Sequence, residues 1–480
     1  MQKKFYITTA IPYVNAAPHI GHALEFVQAD TIARTHKLLG DQVCLLSGGD
    51  ENALKNVKAA EVADTPVQQF VDTNTELFVT LAKKLSVSFD RFQKGSDQIH
   101  HFPSCQKLWN LCKDKGDIYK KSYEGLYCVG CEAFYTKDEL NENGECFEHP
   151  GKKLELVKEE NYFFKLSSYQ KKLIDLITSD SLKIVPDVRK NEVLSFLKQP
   201  LLDISISRSN SRAKNWGVPV PDDDNQKMYV WFDALNIYQS GVGFGWDEKS
   251  YNTWWPADVH VIGKGIIRFH AVYWIAFLLS AGLPIPTSLF VHGYFTVNGQ
   301  KMGKTIGNVI DPNSFIDTFG ADSVRYYLLS EIPPFADGDF SEERFTAIYN
   351  ADLANGLGNL VSRTAKLAEG KSFILKPLAF KTIYEGRFRT LMEEFKFNEA
   401  LFEITKDIKE TDIFIDQNAP WKLDADERRE ILTHVITNIL AIAVKLKPFL
   451  PTTANTIIEL FTTGPVSLPK PLFPRIEKRT

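Results

Sequence analysis

His19 and His22 stand where a helix begins, with Gly21 between them, in the stretch PHIGHALEFVQAD (18–30). A helix N-terminus offers unpaired N–H groups and the positive end of the helix dipole, so it attracts anions. Glycine leaves the backbone open to close approach, and two imidazoles add donors aimed at the same place. The chemistry this serves is the holding of a nucleotide's phosphates; the plainer reading is a capped helix. A second cluster, NGQKMGKTIGN (298–308), sets Gly299, Gly303 and Gly307 around Lys301 and Lys304. Glycine makes such a loop mobile, and a lysine on it reaches phosphates as charge develops. Alone, the loop reads equally as an exposed turn. The third cluster is Cys128 and Cys131, then fourteen residues, then Cys146 and His149. CxxC followed by CxxH is the spacing of a closed, tetrahedral structural zinc site. A redox pair would need neither Cys146 nor His149.

Positioning these groups calls for an α/β framework. FYITTAI (5–11) reads as a buried strand, and Pro12 and Pro18 bound a loop. Ile20, Ala23, Leu24 and Val27 then form one helical face that stops near Gly40, and VCLLSGG (43–49) is the next strand, ending at Asp50. Strand, helix, strand implies a right-handed crossover and a parallel sheet. Ligands of such sheets lie beyond the carboxyl ends of the strands, which places the 12–22 loop and Asp50 at one site. The pattern resumes in MYVWFDAL (228–235), VHVIG (259–263) and SLFVHGYF (288–295), all read as strands, with an apolar helix at 266–283. That helix carries Arg268 and His270 and is short for a membrane span. From about 346 the period is helical, with Ile431, Val435, Ile439, Ile442 and Leu446 on one face.

The expected fold class is therefore α/β: a split Rossmann-type parallel sheet, an inserted zinc-knuckle domain and a C-terminal α-helical bundle. The expected divisions are 1–115 for the first half of the sheet domain, 116–225 for the insertion, 226–297 for the second half, 298–345 for the lysine loop and the segment after it, and 346–480 for the helical domain.

Composition narrows function less. The 480 residues carry 56 basic and 60 acidic side chains, a net −4, with 44% apolar and 24% charged residues. This is ordinary for a globular protein and argues only weakly against nucleic acid as a partner. MQKKFYITTAI shows no leader-like pattern, so a cytoplasmic protein is expected. Cys44, Cys105 and Cys112 read as buried apolar residues.

HIGH at 19–22 and KMGKT at 301–305 together resemble the signature segments of class I aminoacyl-tRNA synthetases. TTAIPYVNAAPHIGH, YVWFDAL, VIGKGIIRFH, FVHGYFTVNGQKMGKT, ENYFFKLSSY and NAPW are similar to the methionyl-tRNA synthetase family over nearly the whole chain. The resemblance implies activation of methionine with ATP, giving methionyl-adenylate, and transfer to the 3′ end of methionine tRNA, with Mg²⁺ accompanying ATP and one structural zinc. It implies that His19, Gly21 and His22 bind ATP and that Lys304, helped by Lys301, neutralises the departing pyrophosphate. It maps Ile11, Tyr13, Trp231, Leu235, Tyr238, Ile266 and His270 to the methionine pocket, with Asp50 on the ammonium group. It makes 298–345 a stem-contact region and the tail an anticodon reader using Asn359, Arg363 and Trp421. A monomer with no membrane contact is expected. Two departures stand out: Gly303 where the family has serine, and Gly265 where it has aspartate. Arg268 is a candidate to offset the second, and Arg208 a candidate to face the adenylate. A noncatalytic tRNA-binding relative of the same fold is the alternative. Joint retention of His19, His22, Asp50, Lys301 and Lys304 favours an enzyme.

Overall fold

In a computed structural model of the chain, the described residues are 3–128, 133–135, 140–147, 151, 154–301, 308–468 and 470–477; for Tyr123, Ala133, Phe134 and Lys301 only the backbone is described. Six strands form the main sheet: β1 (Lys4–Thr8), β2 (Gln42–Gly49), β3 (Arg91–Lys94), β4 (Lys183–Val185), β5 (Val259–Gly263) and β6 (Ser288–His292). Their order is β3-β2-β1-β5-β6-β4, and every pairing is parallel. The order reverses between β1 and β5, the place where such sheets open a crevice for ligands. β1 and β5 pair directly, Ile7 opposite Val259 and Thr8 opposite His260, although they lie in opposite halves of the chain. The split sheet expected from the sequence is thus present. Its last strand, β4, comes from inside the 116–225 span.

Helix α1 (Ile20–Leu39) crosses from β1 to β2 and ends at Gly40, whose φ of 97° lies in the left-handed region suited to glycine. Ile118–Cys128, Ala133–Tyr135, Glu155–Phe164 and Ile204–Ser205 form a separate four-stranded sheet around the cysteine segment. The stretch 228–235 is a correction. The strand there, Asp223–Met228, stops where YVWFDAL begins, and helix α2 (Val230–Ser240) follows. Every residue of α2 is buried, so its sequence carries no polar face, and an apolar run of that kind looks alike in strand and helix. The 266–283 segment is not one regular α-helix either: a 3₁₀ turn (Lys264–Ile266), a π-helical stretch (Phe269–Trp274) and an α-helix (Ile275–Ser280) follow one another.

β7 (Phe295–Val297) and β8 (Gln300–Lys301) make a hairpin over Asn298 and Gly299, both at positive φ, 51° and 73°, as an Asn-Gly hairpin turn requires. β9 (Gly338–Phe340) pairs with β7. α3 (Ala321–Ser330) precedes β9, and beyond β9 the helices α4 (Asn359–Leu367), α5 (Phe397–Asn418), α6 (Ala425–Leu446) and α7 (Pro451–Thr462) build the tail. One apolar core runs from Ile20, Leu24 and Val27 of α1 to Ile436 and Leu440 of α6, so the sheet domain and the tail share buried surface. A second core, holding Leu46, Trp109, Phe232 and Trp274, fills the other face of the sheet. No helix among the described residues is long and apolar enough to cross a membrane.

Candidate active site

The helix start at His19 is capped by its own histidines. His19 is the N-cap, and its Nδ1 accepts from the Gly21 N–H at 3.1 Å; the His22 Nδ1 accepts from the His19 N–H at 3.1 Å. This is the reciprocal arrangement of a capping box. Capping and phosphate binding are therefore not rival readings. With Nδ1 accepting, each neutral ring carries its proton on Nε2, and becomes a donor with a fixed tautomer. Burial, then the neighbouring His19 and His292, hold His22 well below the ordinary histidine range, so it stays neutral at pH 7.

The loop and β2 meet as the crossover demands. Tyr13 pairs in parallel with Asp50, and the Asp50 N–H donates to the Pro12 carbonyl at 2.9 Å. Asp50 is buried, and Asn56 Nδ2 donates to its carbonyl at 2.8 Å. The Ile20 N–H, at the tip of α1, donates to the Ile310 carbonyl at 3.2 Å. Ile310 lies six residues past Lys304. The chain leaving the lysine loop thus returns to the histidine pair. Residues 302–307, with Gly303 and Lys304, lie outside the described residues, and only the backbone of Lys301 is described, paired with Thr296.

The pocket residues converge. Ile11, Tyr13, Trp231, Leu235, Tyr238 and Ile266 belong to one apolar cluster, flanked by buried His270. Trp231 meets Tyr13 edge-on at 6.3 Å and His270 at 6.4 Å. A carbonyl can only accept, so the His270 Nδ1 donates to the Ile266 carbonyl at 2.9 Å, and the Tyr238 hydroxyl donates to His270 Nε2 at 2.8 Å. The π-helical stretch supplies a residue that sequence reasoning misses: Phe269 stacks on Trp231 at 3.7 Å with planes 2° apart. A second omission is charged. Glu25, buried on α1 about one turn past His22, accepts from the Ala10 N–H at 2.8 Å and faces His292 Nε2 at 2.9 Å. It lies off the face marked by Ile20, Ala23, Leu24 and Val27, so the sequence reads it as a solvated acid, whereas α1 is buried on that side too.

Gly265 has a physical account. A Cβ there would stand 1.9 Å from the Tyr294 hydroxyl oxygen, so Tyr294 fills the space a side chain would take. Lys264 sits over the Tyr294 ring at 4.6 Å and pairs with Asp337 at 2.8 Å. Arg268 lies over the Phe196 ring at 4.0 Å, and Arg208 is buried over the Tyr229 ring at 5.6 Å.

Burial pushes His270 down to about 4, and lowers His22 and His260 well below the usual range. Histidines in the unfolded chain titrate near ~6.5. Between pH 6.5 and 4 the unfolded chain therefore binds protons that the folded chain refuses, and stability, complete above 6.5, is lost as pH falls through that window. His270 alone removes about 2 kcal/mol at pH 5. The urea-unfolding midpoint is expected to drop between pH 7 and pH 5, and His270→Gln to reduce that drop; a midpoint constant over this range contradicts the assignment.

Two elements stand apart. In the tail, Asn359 begins α4 and is exposed, and Arg363 lies on the same face, its Nη1 donating to Asp412 at 3.1 Å and its Nη2 pairing with Asp416. The Arg363 guanidinium lies 5.2 Å from the Trp421 ring centre, and Trp421 is 45% exposed, not packed in the bundle. Arg363, Lys366, Leu367 and Trp421 line a shallow cavity of about 460 Å³. In the insertion, Cys128 and Cys146 are buried with their sulfurs 3.3 Å apart. That is far beyond a disulfide's ~2.05 Å and near the ~3.8 Å edge of a tetrahedron of thiolates around zinc. Cys131 and His149 lie outside the described residues, and among the described residues no group of three ligands gathers. Cys44, Cys105 and Cys112 are buried.

Comparison with known proteins is consistent with this geometry. The family model described as tRNA synthetases class I (M) matches residues 5–365. The methionine–tRNA ligase of Thermotoga maritima is 40% identical over 474 residues, covering 95% of this chain and 74% of that protein. The methionine–tRNA ligase of Rhizobium meliloti is 38% identical, covering 98% of each. The structure of Mycobacterium tuberculosis methionyl-tRNA synthetase in complex with methionyl-adenylate superposes with a TM-score of 0.88 at 36% identity, over 96% of this chain and 94% of that one.

Proposed function

The chain belongs to the methionyl class I tRNA synthetases, and from that premise we propose that it activates methionine with ATP and charges methionine tRNA. The methionine carboxylate attacks the α-phosphorus of ATP; the bond from that phosphorus to the bridging oxygen breaks, and pyrophosphate leaves. A hydroxyl of the tRNA's terminal adenosine then attacks the methionyl carbonyl, and AMP leaves. The nucleophile of the first step is already ionised, so no general base is needed; positioning and charge stabilisation do the work. His19 and His22 donate from Nε2 to the phosphates, Gly21 lets them approach the backbone, and Lys301 and Lys304 meet the departing pyrophosphate. Asp50 holds the ammonium group. Trp231, Tyr13, Leu235, Ile11, Ile266, Tyr238 and His270 enclose the thioether, whose sulfur makes contacts of ~0.3–1.5 kcal/mol with aromatic rings. Mg²⁺ bound with ATP supplies further charge neutralisation on the phosphates.

The observation that carries this reading is the hydrogen bond between Ile20 and Ile310, which joins the histidine helix to the exit of the lysine loop. The test is methionine-dependent exchange of labelled pyrophosphate into ATP, followed by charging of tRNA. Exchange with a different amino acid, or none at all, overturns it.

The five-part division of the chain stands as part of the proposal, with the tail reading the anticodon through Asn359, Arg363 and Trp421. Stacking a base on an aromatic ring contributes ~1–3 kcal/mol, so Trp421→Ala is expected to weaken tRNA binding by about five- to hundredfold without changing exchange. Cys128, Cys131, Cys146 and His149 would hold one zinc that ties the insertion together. Metal analysis is expected to find one zinc per chain, lost in Cys146→Ala; a folded, metal-free wild type contradicts it. We assign a cytoplasmic monomer.

A further inference from the structure

The buried charge network outside the site lies on α3, between the sheet domain and the tail. Arg325 is fully buried, and its guanidinium is held from four directions. Nη1 pairs with Asp30 Oδ2 at 2.7 Å and donates to the Leu85 carbonyl at 3.2 Å. Nε donates to the Phe449 carbonyl at 2.6 Å and Nη2 to the Pro448 carbonyl at 2.9 Å. Asp30 belongs to α1, eight residues and about 12 Å along the helix from His22, and the same oxygen accepts from Arg34 Nε at 2.6 Å. Pro448 and Phe449 form the corner between α6 and α7. One turn back on α3, Asp322 Oδ2 accepts from the Thr453 N–H at 2.6 Å, in the first turn of α7. Two charged residues of α3 thus grip the tail's corner, and one of them also grips the helix that starts at His19.

We propose that Arg325 is a positioning residue for tRNA charging. It sets where the helix of His19 and His22 stands relative to the tail, so that one tRNA reaches both. The planar fork suits this use, because it meets a carboxylate and three carbonyls in fixed directions that a single ammonium cannot reproduce. The buried guanidinium of Arg325 uses its Nε, Nη1 and Nη2 on fixed partners from three parts of the chain, and a buried polar group held in this way specifies one arrangement of the parts it joins. The role differs from that of the pocket residues, since Arg325 touches no group placed at the reaction. It rests on the reading that the tail binds tRNA.

Arg325→Lys tests it. The expected result is pyrophosphate exchange within twofold of wild type and a fall of at least tenfold in kcat/KM for charging of full-length tRNA. A merely structural role would lower both assays together. Asp322→Ala, which removes the hydrogen bond to the first turn of α7, is expected to give the same split and decides the matter should Arg325→Lys not fold. Equal loss in the two assays, or charging that is unchanged, overturns the proposal. A wild type that exchanges but does not charge tRNA, with Trp421→Ala leaving tRNA binding unaltered, overturns the reading of the tail and this proposal with it.

Discussion

His22→Ala is expected to lower the rate of methionine-dependent pyrophosphate exchange by about a hundred- to thousandfold while leaving KM for methionine within about threefold. The reason lies in what the helix start does to the ring. The His19 N–H occupies the His22 Nδ1, so the proton sits on Nε2, and the side chain has one donor whose direction the backbone sets. A donor already aimed at developing charge contributes ~2.7–4 kcal/mol to lowering a barrier. The methionine pocket lies on other elements, so ground-state binding of the amino acid is spared. Losing the capping-box hydrogen bond from the His19 N–H also costs about 1 kcal/mol of stability, too little to unfold the chain. His22→Gln separates the two roles: glutamine at this third helical position can accept from the His19 N–H, so stability returns while rate does not. Because burial, His19 and His292 hold His22 well below the ordinary histidine range, the exchange rate of wild type is expected to show no His22 titration between pH 8 and pH 6. Rates that survive His22→Ala within tenfold would remove the pair from the phosphate site.

How much of this arrangement is legible in the sequence depends on the range of the interactions that build it. The strand, helix and strand at the start of the chain declare themselves by local apolar period, and Gly40 marks the stop because only glycine easily adopts its φ of 97°. The meeting of Tyr13 with Asp50 follows from parallel topology alone. Helix α2 reads as a strand because a segment buried on every side has no polar face to reveal its period. The Tyr238–His270–Ile266 relay and the stacking of Phe269 on Trp231 depend on a π-helical stretch, which shifts every later side chain around the axis and leaves no mark in composition. Glu25 and Asp30 are acids on a buried helix, and each meets a cation-forming partner from beyond residue 290, His292 and Arg325, that no local pattern reveals. Gly265 reads as a missing side chain, and its explanation, Tyr294, sits 29 residues on.

Asp50→Asn is expected to reduce kcat/KM for methionine by about a hundred- to thousandfold, mostly through KM. Asp50 is 3% exposed, so an ammonium group bound there is stripped of water along with the carboxylate. Removing one member of a buried, hydrogen-bonded charge pair costs ~2–5 kcal/mol, much of it from leaving the other charge unpaired. The backbone around Asp50 is held by Pro12, Tyr13 and the Asn56 amide, and asparagine has the same shape, so the fold is retained. Two competitive ligands isolate the contact. Methioninol keeps the ammonium group and lacks the carboxylate; 4-(methylthio)butanoate keeps the carboxylate and lacks the ammonium. Asp50→Asn should weaken methioninol by about the full factor and leave 4-(methylthio)butanoate nearly unchanged, because the second ligand never had the charge that Asp50 meets. Equal weakening of both ligands would mean that Asp50 shapes the pocket wall, and the ammonium contact would have to be sought elsewhere along the 11–13 loop.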